Sequence, residues 1–158
     1  MTEGYLQIMI ESLEKKIVVL DKIIELDKRQ IEIATARPFD MQAYDKSMDE
    51  KGELIDEINR LDAGFTSTYE IVKAEVQGNP AKYREKVLVL QDLIREAVEK
   101  GAKIEVQEKR NKNAMELALS TKRQEIRQVK ISSSAASKYY KAMSRINDVD
   151  PQLMDRKK

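Results

Sequence analysis

Cysteine and histidine are both missing from this chain, and tryptophan with them. Without cysteine there is no disulfide, no thiolate nucleophile and no thiolate metal site. Without histidine, the commonest general base and the commonest neutral metal ligand go too. No Gly-rich phosphate loop and no nucleophile elbow occurs anywhere along the sequence, so no enzyme activity and no cofactor are expected. Aromatic residues are only 5% of the total, beside five Gly and three Pro. Strands favour aromatic and β-branched residues, so this scarcity argues against a sheet. No run approaches the ~20 apolar residues that span a bilayer. Met1-Thr2-Glu3 begins no basic stretch followed by an apolar one, and a cytoplasmic address is the expectation. Nor is there a surplus of either charge: 29 basic side chains face 28 acidic ones, leaving +1. Nucleic-acid affinity comes largely from Lys and Arg neutralising phosphates, so nucleic acid is not an expected partner.

What is present is charge in bulk and aliphatic residues in register. Charged residues make up 36% of the 158 and hydrophobic ones 41%, which suits long, water-washed helices around a thin core. Leu6, Ile10, Leu13, Ile17, Leu20, Ile24 and Ile31 recur at alternating spacings of three and four, broken only by Asp27. That is a heptad seam, and it predicts a helix over about residues 2–36. Val18, Val19, Ile23, Leu26 and Ile33 widen the stripe, as expected for a helix with more than one neighbour. Arg37-Pro38 stops it, and Asp40 is positioned to cap the next helix. That second helix, over residues 41–77, carries Met41, Tyr44, Met48, Ile55, Ile58, Phe65, Tyr69, Val72 and Val76 on its seam. Lys51 and Asp62 interrupt that seam, and a break near Gly64 is expected. Gly78-Asn79-Pro80 ends it, with Gly78 suited to a left-handed cap. From Pro80 the seam continues through Tyr83, Val87, Leu90, Ile94, Ala97, Gly101, Ile104, Met115, Ala118, Ile126 and Val129. This predicts a third helix over residues 80–131, a rod of roughly 75 Å against roughly 50–60 Å for the other two. Glu108, Asn111 and Lys122 fall where apolar residues belong, so its far end is expected to overhang the bundle.

The expected fold is therefore all-α: an antiparallel bundle of three long, coiled-coil-like helices in residues 1–131. Residues 132–158 would form a short helical or disordered tail. The charge that cancels overall is unevenly placed. Residues 40–62 hold eight acids against three bases, and residues 122–146 hold seven bases against one acid. Solvated helix faces are the simpler reading, and complementary surfaces the other. Asp45, Asp49, Glu53, Asp56 and Glu57 cluster on the second helix, but without the spacing of a calcium loop, and no metal site is expected. In the tail, Tyr139, Tyr140, Met143, Ile146, Leu153 and Met154 make a candidate binding element that wraps a partner or folds back on the bundle.

Three stretches carry a resemblance to a known family. The first is Ile10-Glu11-Ser12-Leu13-Glu14-Lys15-Lys16-Ile17. The second is Asp49-Glu50-Lys51-Gly52-Glu53-Leu54-Ile55, continuing to Ile58, Leu61 and Asp62. The third, and most distinctive, is Val106-Gln107-Glu108-Lys109-Arg110-Asn111-Lys112-Asn113-Ala114-Met115-Glu116-Leu117. Together they resemble the FlgN-type flagellar export chaperones, with Gln107, Arg110 and Asn111 matching the family motif. The tail, ending around Asp150-Pro151, departs from the Gly-rich tail of better-known members. The resemblance implies a cytoplasmic chaperone, monomer or homodimer, that binds hook–filament junction (hook-associated) proteins. It would deliver them to the flagellar type III export gate, with at most transient membrane association through that apparatus. Met115, Leu119, Ile126, Val129, Tyr139, Tyr140 and Met143 are then the expected client contacts. The alternatives are a FliT-type chaperone for the filament cap and a structural coiled-coil adaptor unrelated to secretion.

Overall fold

The structure, a computed structural model, describes residues 1–125 and consists there of three α-helices: α1 (Thr2–Thr35), α2 (Met41–Gly78) and α3 (Arg84–Glu125). No strand occurs among the described residues. α1 ends where Ala36 turns extended ahead of Arg37-Pro38. The Arg37 guanidinium donates to the carbonyls of Ala34 (3.0 Å) and Ala36 (2.9 Å), satisfying acceptors the helix leaves open. Asp40 caps α2 as expected, its Oδ1 accepting from the Ala43 N–H at 3.0 Å.

Three expectations about boundaries need correction. α2 runs unbroken through Gly52 and Gly64, because buried Ile55, Ile58, Asp62 and Phe65 hold it on both sides of the weak points. Gly78 is the last residue of α2 and no glycine takes positive φ among the described residues. The cap is made by Asn79 instead, whose Nδ2 donates to the Glu75 carbonyl at 2.9 Å. α3 begins at Arg84 rather than Pro80, since residues 80–83 form a turn closed by Lys82 N–H to Asn79 O at 3.2 Å.

The helices run up, down and up. Gln7 meets Lys86 at 3.0 Å and Asp21 meets Lys100 at 2.6 Å, so α1 and α3 advance together. Lys16 meets Asp62 at 3.0 Å and Arg29 meets Glu50 at 2.9 Å, so α2 runs against them. α1 packs on both partners, whereas no Cα of α2 lies within 8 Å of one in α3. The wide hydrophobic stripe read on α1 is thus a stripe with two neighbours. α2 and α3 meet through side chains alone.

Buried side chains form layers along the axis. At one end, Leu6, Met9, Ile10 and Leu13 pack with Phe65, Val72, Tyr83, Leu90 and Ile94. In the middle, Ile17, Leu20, Ile23 and Ile24 pack with Ile55, Ile58, Ala97 and Ile104. At the other end, Ala34, Phe39, Tyr44 and Met48 enclose Met115 and Ala118. Burying each large aliphatic side chain stabilises the fold by about 1.5–3 kcal/mol. The expected overhang does not begin within the described residues: the Lys122 ammonium still reaches the Phe39 carbonyl at 2.8 Å, level with the α1–α2 connection. Residues 126–131 of the expected third helix, and the tail over 132–158, lie outside the described residues.

Candidate partner-binding surface

The stretch from Val106 to Leu117 has two faces. A helix turns 100° per residue, which puts Gln107, Glu108, Asn111 and Met115 on one side and Val106, Arg110, Asn113 and Leu117 on the other. The first set is buried. The Gln107 amide donates to the Ile24 carbonyl at 3.2 Å, and the Asn111 amide to the Asp27 carbonyl at 2.9 Å. Gln107 and Asn111 therefore bolt α3 to α1, while Arg110 is exposed.

The charged residues that interrupt the seams are partners of one another. The Lys51 ammonium lies 2.7 Å from Asp27 Oδ1 and 2.7 Å from Glu108 Oε1, and it also donates to Gln30 Oε1. The Gln30 amide donates to the Ser47 hydroxyl at 2.9 Å, which in turn donates to the Tyr44 carbonyl. Burial pushes the Asp27 carboxyl up to about 8, against the pull of Lys51 and helped by the neighbouring Glu108. A second, simpler pair, Lys16 with Asp62, sits between the end and middle apolar layers. Glu108 and Asn111 thus mark a buried polar layer and not the start of a free end. Lys122 likewise lies over the Phe39 ring, 6.0 Å from its centroid, besides reaching its carbonyl.

Of the expected client contacts, Met115 is core: it is 4% exposed and enclosed by the Phe39 cluster, so it offers no surface to a partner in this arrangement. Leu119 is half-buried against the same cluster. Ile126, Val129, Tyr139, Tyr140 and Met143 lie outside the described residues. The apolar groups that do face water on α3 are others. Val106 is 69% exposed, Leu117 64%, Leu88 47% and Val89 44%, the last about 100° around the helix from the others. Because 18 residues make five full turns, Leu88 and Val106 fall on one line, and Leu117 is close to it. Arg95, Glu99, Ala102, Arg110 and Asn113 lie along or beside that line, which runs along the outside of the bundle. The signal was present in the sequence, since these residues are apolar and off the seam, but a seam search passes over them.

Elsewhere, Val18, Leu26 and Leu54 floor an open groove of about 620 Å³ between α1 and α2, with Asp21, Glu25, Arg29, Glu50 and Glu53 at its rim. The acidic run of α2 remains a solvent-facing stripe. Asp45 is raised by partial burial and by the adjacent Asp49, and no cluster able to hold a metal ion occurs among the described residues. No described helix is long and apolar enough to cross a membrane. Comparison with protein-family models, with curated proteins and with solved structures finds no match for this chain.

Proposed function

We propose that this protein is a non-catalytic binding protein that works in the cytoplasm as a FlgN-type export chaperone for hook–filament junction proteins. The observation that carries the reading is the two-faced stretch of α3. The residues resembling the family motif are held to α1 on one side, through Gln107 and Asn111, and turn Val106, Arg110 and Leu117 outward on the other. An outward apolar line on a rigid helix suits a client whose own ends are amphipathic helices, laid along it as in a coiled coil. The line is narrow and interrupted by charge, which favours a moderate affinity and a client that can be released.

Titration calorimetry of the full chain against junction proteins and the filament-cap protein of the same source tests the reading. Binding to the junction proteins alone is the expected result. Binding only to the cap protein would transfer the chain to the FliT-type chaperones. Failure to bind either would leave a structural coiled-coil adaptor as the better account.

A further inference from the structure

Two glycines are buried on helix faces that α1 does not cover. Gly52 lies about 140° round α2 from Ser47, which bonds to Gln30 of α1. Gly101 lies about 120° round α3 from Gln107, which bonds to Ile24 of α1. Both are therefore turned towards the corner of the bundle between α2 and α3. Those helices do not close the corner with their backbones, since no described Cα of one lies within 8 Å of the other. A glycine has no side chain to fill the space beside it, so what shields it comes close to the helix backbone. The corner also has a sign of charge. Asp45, Asp49 and Asp56 recur with Gly52 at spacings of three and four along one side of α2. The Asp45 carboxyl is held above its usual range by partial burial and by Asp49. On α3, Glu105 and Glu108 stand one and two turns beyond Gly101, followed by Lys112.

The remainder of the chain is complementary to this corner. Residues 126–158 carry eight basic and three acidic side chains, whereas residues 1–125 carry 21 basic and 25 acidic. Ala135, Tyr139, Met143 and Ile146 recur at helical spacing, flanked by Lys138, Lys141 and Arg145, with no acid among residues 135–146. Ala136 and Ala142 fall on the same side, and side chains that small suit a close approach to glycine. Length is sufficient too. Gly101 lies about 36 Å back along α3 from Glu125, and residues 126–158 span about 50 Å even if wholly helical.

We propose that residues 132–158 turn back along α3 and seat in the corner between α2 and α3, opposite α1, as the fourth side of the bundle. Ala135, Tyr139, Met143 and Ile146 face inward, and Lys138, Lys141 and Arg145 lie towards the acidic flank of α2. The occupant is the chain's own C-terminal segment, so the assignment stands whichever client the protein binds.

Because the chain has no cysteine, one introduced cysteine carries one nitroxide. In the full chain labelled at Asp56→Cys, beside the corner, the NMR signals of residues 135–146 should be lost to broadening. With the label at Val18→Cys, in the groove between α1 and α2, they should persist. Loss from both labels, or from neither, overturns the proposal. So does loss only when labelled and isotope-enriched chains are mixed, because a second copy would then fill the corner. Gly52→Leu and Gly101→Leu read the same packing by its sign. In an open corner each replaces a poor helix former with a good one and raises the melting temperature. In a filled corner each overpacks: the melting temperature falls, and trypsin cuts after Lys138 and Lys141 about tenfold faster or more than in the unaltered chain. A raised melting temperature with unchanged cleavage in both variants overturns the proposal.

Discussion

Lys51 is the side chain on which most of the buried polarity turns. Its ammonium holds Asp27 and Glu108 apart from bare juxtaposition, so Lys51→Met leaves two carboxylates facing each other in the core. Removing one partner of a buried ion pair costs about 3–5 kcal/mol, and a loss of that size is the expected result in urea denaturation at pH 7. The Lys16–Asp62 pair is a useful contrast, because both of its members can be replaced together. Lys16→Met with Asp62→Leu is expected to be neutral or stabilising by about 1–4 kcal/mol, whereas either change alone destabilises. Each of these charges was visible in the sequence as a fault in a seam. That the faults answer one another was not, because pairing Asp27 with Lys51 and Glu108 requires the register between helices, which periodicity along one helix does not contain. Phe39 was hidden for a different reason. It lies in the connection after Pro38, where no period applies, and it is buried against Tyr44 at a ring separation of 5.9 Å.

Among the elements, α2 shows how far local weakness is overruled by packing. Gly64 suggested a break, yet the helix runs through it and through Gly52 as well. A Cβ built at Gly64 meets nothing within 4 Å, so Gly64→Ala fills no occupied space and is expected to stabilise by about 1 kcal/mol, read as a higher melting temperature. Asp40 is the opposite case, a local signal that packing leaves intact: its cap was legible from Pro38 onward and is formed. Asp40→Ala should cost about 1 kcal/mol through the lost bond to the Ala43 N–H. α3 carries the functional prediction. Val106→Glu with Leu117→Glu alters only exposed positions, so thermal stability should move by no more than about 0.5 kcal/mol. Client affinity, measured by calorimetry, should fall at least tenfold, and unchanged affinity would remove the outer line of α3 from the binding surface. The seam was easy to read because buried residues repeat. The outward face was not, because single exposed apolar residues are ordinary on any helix and only their alignment distinguishes these.

For the molecule as a whole, apolar and charged layers alternate along one axis, and the helix order was accessible from seams and breakers alone. The relative spacing of the helices was not, since a three-helix arrangement with α1 between two separated partners has the same periodic signature as a symmetric one. That α1 packs on both α2 and α3, while those two backbones stay apart, bears on the birth of the chain. Translation releases α1 first and α2 next, and these can close as a hairpin while α3 is still being made. The last helix must then return to the first across a gap of about eighty residues, as the bond from Gln107 to Ile24 illustrates. Such distant closures are slow steps in folding. Until it is made, the half of the α1 stripe that belongs to α3 stands open to water on the nascent chain. A protein proposed to shield the apolar stripes of others therefore begins life with one of its own uncovered.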